Sequence, residues 1–286
     1  MKVGIVPFNV GVASAEELVA RARTAEAVGL ESIWTFEHVV VPLEYASRYP
    51  YNASGKMGAQ PETTLVDPLI ALTAAAATTS TIRLGTGISI LPQANPLLLA
   101  KQAASLDYVS GGRLMLGFGA GWLREEFEAL GVPFARRGAR MDDYIAAMKK
   151  VWSGDVVEHH SEFLDWSNFK SFPLPPQRPH PPIIIGGNSD AAIDRVIAHG
   201  DGWFMPVSGV EATAQGIARL RERAAAAGRD VSHVEISTQW IFTREGVESI
   251  PRYEELGVAR LIVPLPVLGA DAIAGIERLG EALARA

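Results

Sequence analysis

Pro182-Ile183-Ile184-Ile185-Gly186-Gly187-Asn188-Ser189 runs directly into the helical pattern Asp190 to His199. An apolar run that stops on two glycines and restarts as a helix reads as a buried strand, a tight turn and a helix N-terminus. Several free backbone N–H groups then meet at one point, the glycines admit close approach, and the helix end favours negative charge. A barrel or an open sheet holds a phosphate in this way. Ser189 equally fits a plain N-cap on an ordinary connection, and a lone strand–Gly-Gly–helix does not choose between the two.

Outward from this turn the alternation continues to both ends of the chain. Candidate strands begin near Val3, Ser32, Arg83, Arg113, Pro182, Gly202, Val234 and Arg260, with amphipathic stretches between them. Ser14-Ala15-Glu16-Glu17 reads as a capping box, and Gly29 as the end of that helix. Asp67-Pro68 and Asn95-Pro96 each pair an N-cap with proline at the first helical position, and Gly200 ends the helix after Ser189. Strands alternating with helices favour a parallel sheet covered on both faces. Eight such units without a composition break or linker predict an α/β fold, a (β/α)8 TIM barrel read as one domain over residues 1–286, ahead of a doubly wound sheet.

Two inserted loops exceed simple turns. The first, His38 to Val66, follows strand 2 and carries Tyr45, Tyr49, Tyr51, Met57 and several prolines. It leaves at the C-terminal rim, where barrel enzymes build their sites. The second, Gly154 to Pro181, precedes strand 5 and carries His159, His160, Trp166 and a cluster of prolines. It starts at the opposite end, and reads either as a stiffened surface excursion or as a segment that climbs back to the site.

Hydrophobic residues make up 48% of the chain and mean hydropathy is +0.13, ample for a large buried core. The net charge of −6 argues against a nucleic-acid or anionic-membrane surface. The absence of cysteine excludes disulfides, thiol nucleophiles and cysteine-based metal sites. No leader pattern follows Met1-Lys2 and no apolar run approaches ~18 residues, so the expectation is a soluble, cytoplasmic protein acting on a small-molecule substrate.

His38 falls directly after the strand Ser32-Ile33-Trp34-Thr35-Phe36, at the C-terminal rim. A histidine there can exchange a proton near neutral pH or hydrogen-bond an anionic ring; position alone does not separate that role from a merely satisfied one. Glu37 beside it is expected to face the other side of the strand end. The remaining histidines form no metal-ligand spacing, and neither a Gly-x-Ser-x-Gly elbow nor a strand-end lysine appears. By elimination the chemistry belongs to a bound organic cofactor. Leu84-Gly85-Thr86-Gly87-Ile88-Ser89 and Gly117-Phe118-Gly119-Ala120-Gly121-Trp122 add two more glycine-rich strand ends, where a flat ring can press on backbone or glycine simply relieves crowding.

Taken together, these segments resemble the luciferase-like flavin and deazaflavin oxidoreductase superfamily along nearly the whole chain. The resemblance rests on Trp34-Thr35-Phe36-Glu37-His38, Leu84-Gly85-Thr86-Gly87, Asn95-Pro96, Ser110-Gly111-Gly112-Arg113, Gly117 to Trp122, Ile185-Gly186-Gly187 and Asp201-Gly202-Trp203. A narrower likeness, to F420-dependent oxidoreductases, is carried by Gly121-Trp122-Leu123-Arg124-Glu125-Glu126-Phe127, Leu130 to Phe134 and Arg137 to Asp142.

The resemblance implies coenzyme F420 as cofactor, with FMN as the alternative. F420 implies hydride transfer to or from a small organic molecule; FMN implies a monooxygenase using reduced flavin and oxygen. A third alternative is a barrel that binds the cofactor without catalysis. Cofactor contacts are implied at Phe8, Gly87, Ile88, Ser89, Gly119, Ala120, Gly121, Trp122, Gly186, Gly187, Asn188 and Ser189, with a non-prolyl cis peptide near Gly87-Ile88. His38 is implied as the catalytic proton partner, with Glu125 and Glu126 as alternatives for an acid role or as a solvated helix start. Tyr45, Tyr51 and Trp122 are implied to line the substrate cavity, and Arg136, Arg137 and Arg140 to give a basic rim for the cofactor tail. Trp122 stands where sugar-phosphate dehydrogenases of this type carry glutamate, so sugar-phosphate specificity does not carry over. Homodimers are common among related barrels.

Overall fold

The computed structural model describes residues 1–285. In chain order its main elements are β1 (Lys2–Val6), α1 (Ala15–Ala27), β2 (Ser32–Thr35), α2 (Pro68–Thr78), β3 (Arg83–Thr86), β4 (Ser89–Ile90), α3 (Pro96–Ser110) and β5 (Leu114–Gly119). There follow α4 (Arg124–Ala129), α5 (Arg137–Trp152), the strands β6 (Val157–His160) and β7 (Asp165–Phe169), β8 (Ile183–Gly186), α6 (Asp190–His199), β9 (Gly202–Ser208) and α7 (Val210–Ala226). The chain closes with β10 (Glu235–Gln239), α8 (Phe242–Glu245), α9 (Ile250–Glu255), β11 (Val258–Pro264) and α10 (Ala272–Ala284).

The parallel sheet runs β3-β2-β1-β11-β10-β9-β8-β5, and β5 pairs back onto β3 through Leu84↔Leu114 and Gly85↔Met115. The sheet is therefore a closed barrel. The segment β4 also pairs with β5 and continues β3 beyond a break at Gly87-Ile88, whose peptide bond is cis at the position the resemblance implied. Eight strand positions result, the architecture of a (β/α)8 barrel. The caps read from sequence are present: Ser14 accepts from Glu17 N–H, Asp67 from Ile70 N–H, and Asn95 from Leu97 and Leu98 N–H.

Apolar side chains fill both faces of the strands, which is why the strands read as continuous apolar runs. Val6, Trp34, Met115, Ile184, Phe204 and Ile262 pack inside the barrel, and a larger cluster joins sheet to helices. Gly85 belongs to this packing: a Cβ there would lie 2.3 Å from the Trp34 indole. At the N-terminal end Arg260, 1% exposed, closes the barrel with two 2.7 Å bonds to Glu31.

The two inserted loops part company. Residues 38–66 stay at the C-terminal rim as irregular chain. The second insertion instead folds β6 and β7 into an antiparallel hairpin, because Val157 and His159 turn inward while Glu158 and His160 stay exposed. His159 Nε2 meets Asp143 Oδ1 on α5 at 2.8 Å. Gln177 Nε2 then donates to Asp107 Oδ1 and to the Leu114 carbonyl, each at 2.7 Å, covering the bottom of the barrel. The insertion's hairpin tip climbs along α5 as far as Arg136, which Glu162 meets. Among the described residues no helix is long and apolar enough to cross a membrane.

Candidate active site

His38 leaves the end of β2 and turns back across the rim. Its Nδ1 lies 3.1 Å from Glu126 Oε2 on α4. Glu126 is 1% exposed and also accepts from Gln93 Nε2 at 3.1 Å and the Val39 N–H at 2.6 Å. Burial opposes its charge, but these donors outweigh burial and hold the carboxyl below the usual range. A carboxylate accepts only, so Nδ1 carries the hydrogen and Nε2 is the ring nitrogen left to exchange a proton with the cavity.

His38 lines a cavity with Phe36, Tyr49, Tyr51, Ile88, Trp122 and Phe204, and Gln239 also borders it. Trp122 is the hub of one wall. Its ring stands edge-on to Tyr49 at 5.2 Å, to Tyr45 at 5.8 Å and to His38 at 6.0 Å between centroids. Tyr51 and Ile88 are shared with a second cavity, of about 930 Å³, that passes Gly119, Ala120 and Gly121 and ends at Gly187, Ser189, Arg137 and Arg195. Trp122 and Gly187 also line both, so the two cavities adjoin along one cleft.

The far end of the cleft is an anion cradle. Gly187 adopts φ +113°, a region that strains any side chain, and a Cβ there would lie 3.1 Å from Ala192 Cβ and 3.3 Å from the Tyr51 hydroxyl. The first-turn N–H groups of α6 point at this end, and Arg137 and Arg195 add fixed charge. Arg137 is held by the Gly121 carbonyl at 3.0 Å and stacks on Phe134 at 3.8 Å; Arg195 is held by Asp142 at 2.7 Å. The Tyr51 phenol faces the Asn188 N–H, and burial pushes it up to about 12, so it is neutral. Ser189 serves as the N-cap of α6, accepting from Ala192 N–H, while also lining the cradle.

Several sequence expectations need correction. Phe8 is fully buried between sheet and helices and lines neither cavity. Ser89 faces a separate cavity outside the barrel wall. Gly119 and Gly186 line the cleft, and their missing side chains also make room for Ile88, whose Cδ1 would lie 1.8 Å from a Cβ at Gly119. Tyr45 backs Trp122 and accepts the Met57 N–H at 3.0 Å instead of lining the cleft, and Asn188 meets it only through its backbone. Arg136 turns outward to Glu162, and Arg140 is spent on the Pro133 carbonyl at 2.7 Å, so only Arg137 of that trio reaches the cleft. Neither glutamate of α4 is a solvated helix start, because Glu125 accepts the Ala46 N–H at 2.7 Å and the Ser47 N–H at 3.1 Å. Glu37 does not turn away from the cavity; it lines it, and accepts the Ile90 N–H at 2.8 Å.

Sequence reasoning missed Arg195, Phe204 and Gln239. For Arg195 a signal existed: it lies four residues after Ala191, one helical turn behind the cradle.

Fold and site together define a (β/α)8 barrel with a His–Glu pair over an aromatic cleft that ends in an anion cradle. The chain belongs to the luciferase-like monooxygenase family, whose model matches residues 1–243. An uncharacterised protein of Mycobacterium tuberculosis is 31% identical over 267 residues, 93% of each chain. An FMNH2-dependent dimethylsulfone monooxygenase of Pseudomonas putida is 36% identical over 140 residues, 48% of this chain and 39% of that protein. The structure of the F420-dependent tetrahydromethanopterin reductase from Methanopyrus kandleri superposes with a TM-score of 0.77 over 98% of this chain and 97% of that one. At 17% identity that likeness is one of fold.

Proposed function

We propose that the chain is an oxidoreductase that binds coenzyme F420 and transfers a hydride between it and a small apolar or aromatic substrate, with His38 as proton partner. The paired cavities carry this reading: an aromatic-walled space beside His38 adjoins an anion cradle with the charge a phosphate needs. The residues fit a planar ring on a phosphate-bearing chain. Arg137, Arg195 and the α6 N-terminus would hold the phosphate; Ile88 and Trp122 would bracket the ring.

A bound 5-deazaflavin supplies a hydride donor or acceptor that reacts poorly with oxygen. The chain supplies the rest. Glu126 fixes the His38 tautomer and orientation, so that Nε2 takes the substrate proton as its C–H bond yields a hydride, or returns it in the reverse direction. Trp122, Tyr49 and Phe204 exclude water from that exchange.

The identity with an FMNH2-dependent monooxygenase over 140 residues supports a second reading, in which reduced FMN occupies the same cleft. Side-by-side calorimetric titration with F420 and FMN separates the two. Micromolar or tighter F420 binding with negligible FMN binding is expected; the opposite preference overturns the F420 reading and makes oxygen consumption the relevant assay.

A further inference from the structure

The barrel wall beside His38 separates the cleft from another cavity, which lies outside β4 and is lined by Asp67, Ser89, Asn95 and Gln102. Glu37 and Ile90 line both spaces. The hydrogen bond from the Ile90 N–H to Glu37 Oε2, 2.8 Å, is therefore the partition between them. Ser89 lines the outer cavity together with Glu37.

Glu126 offers no comparable route. Its oxygens are taken by His38, Gln93 and the Val39 and Val40 N–H groups, and it is sealed from solvent. We propose that Glu37 passes protons between the reaction cavity and the outer cavity, through the barrel wall. The inference rests on the oxidoreductase reading: each hydride moved to or from a carbon bearing O–H or N–H leaves one proton to exchange with water, while a bound cofactor fills the mouth.

The step balances without electron transfer. A proton from the reaction cavity bonds to Glu37 Oε1, the oxygen not engaged by Ile90, and neutralises the carboxylate. The carboxyl then releases it to solvent beside Ser89 and returns to its charged form. The charged groups around Glu37 suit this cycle. Burial, only partly offset by the Ile90 N–H and the Ser89 hydroxyl, raises its affinity for a proton, and the nearby Asp67 and Glu126 charges act in the same direction.

Glu37→Gln keeps an acceptor for Ile90 and removes the titrating group, which makes it the reference variant. The measurement is hydrogen–deuterium exchange of the protonated-carboxyl infrared band, in protein saturated with whichever of F420 or FMN binds. A band absent from Glu37→Gln is expected; it exchanges readily with the cofactor bound, and about tenfold or more slowly in Ser89→Ala. Ser89→Ala, outside the cleft, is expected to bind cofactor within about twofold of the parent. Absence of a Glu37 band at every pH where the protein stays folded, or exchange that stops once the cofactor fills the mouth, overturns the relay. So does exchange unaffected by Ser89→Ala. If neither cofactor binds the parent protein, the oxidoreductase reading beneath the inference fails instead, and the two failures are distinguishable.

Discussion

The segments 38–66 and 154–181 are alike in sequence, both long and rich in proline and aromatic residues, yet they do opposite work. The first is irregular but held from below by α4: Glu126 takes the Val39 N–H and Glu125 those of Ala46 and Ser47. So held, it delivers His38, Tyr49 and Tyr51 to the cleft. The second folds its own hairpin and spends Gln177 on the barrel floor, where Asp107 and Arg83 meet it. What separates them is the end of the strand they touch. In a parallel barrel the loop that follows a strand faces the site, while the loop that precedes one faces away.

The largest effect is expected at the root of the first segment. His38→Ala should cut turnover by ~10²-fold or more, with cofactor affinity within about tenfold; unchanged turnover removes His38 from the mechanism. The mirror experiment lies in the second segment. Gln177→Ala strips a partner from the fully buried Asp107 carboxyl and should cost about 1–3 kcal/mol of stability in chemical denaturation, with F420 affinity unchanged. An affinity loss there would break the contrast between the two ends.

A smaller effect is expected at Tyr49, which packs against both Trp122 and Tyr51. Tyr49→Ala should weaken cofactor binding by about tenfold, the scale of a lost aromatic contact, as read by calorimetry. The smallest is an acid step. Burial works against the Glu125 charge, but the Ser47 hydroxyl and the backbone N–H groups of Glu125, Ser47 and Ala46 outweigh it and lower its carboxyl to about 2. A group depressed in the folded protein stabilises it above its ordinary value of 4.5 and loses that contribution as pH falls toward 2. The fluorescence of Trp122, isolated by comparison with Trp122→Phe, should therefore change across that window, and Glu125→Gln should lack the step.

The barrel was legible because it is written locally. Strand starts such as Ser32 and Gly202, and the caps at Ser14, Asp67 and Asn95, are set by residues adjacent in sequence. The Gly186-Gly187 turn and His38 were legible for the same reason. The partnership of His38 with Glu126 was not, since it joins residues 88 positions apart. The packing role of Gly119 and Gly186 was not legible, because the atom that needs their space belongs to Ile88, on a neighbouring strand. Charge was misread in α5 because Arg136, Arg137 and Arg140 leave the same helix in different directions, and only contacts with Glu162, Gly121 and Pro133 decide which one reaches the cleft.

The most direct test is the crystal structure of the protein with F420 bound. The account expects the ring between Ile88 and Trp122 with its reactive edge toward His38 Nε2, and the phosphate against Gly187, Arg137 and Arg195. A phosphate bound elsewhere, or a ring lying outside the aromatic cleft, would contradict it.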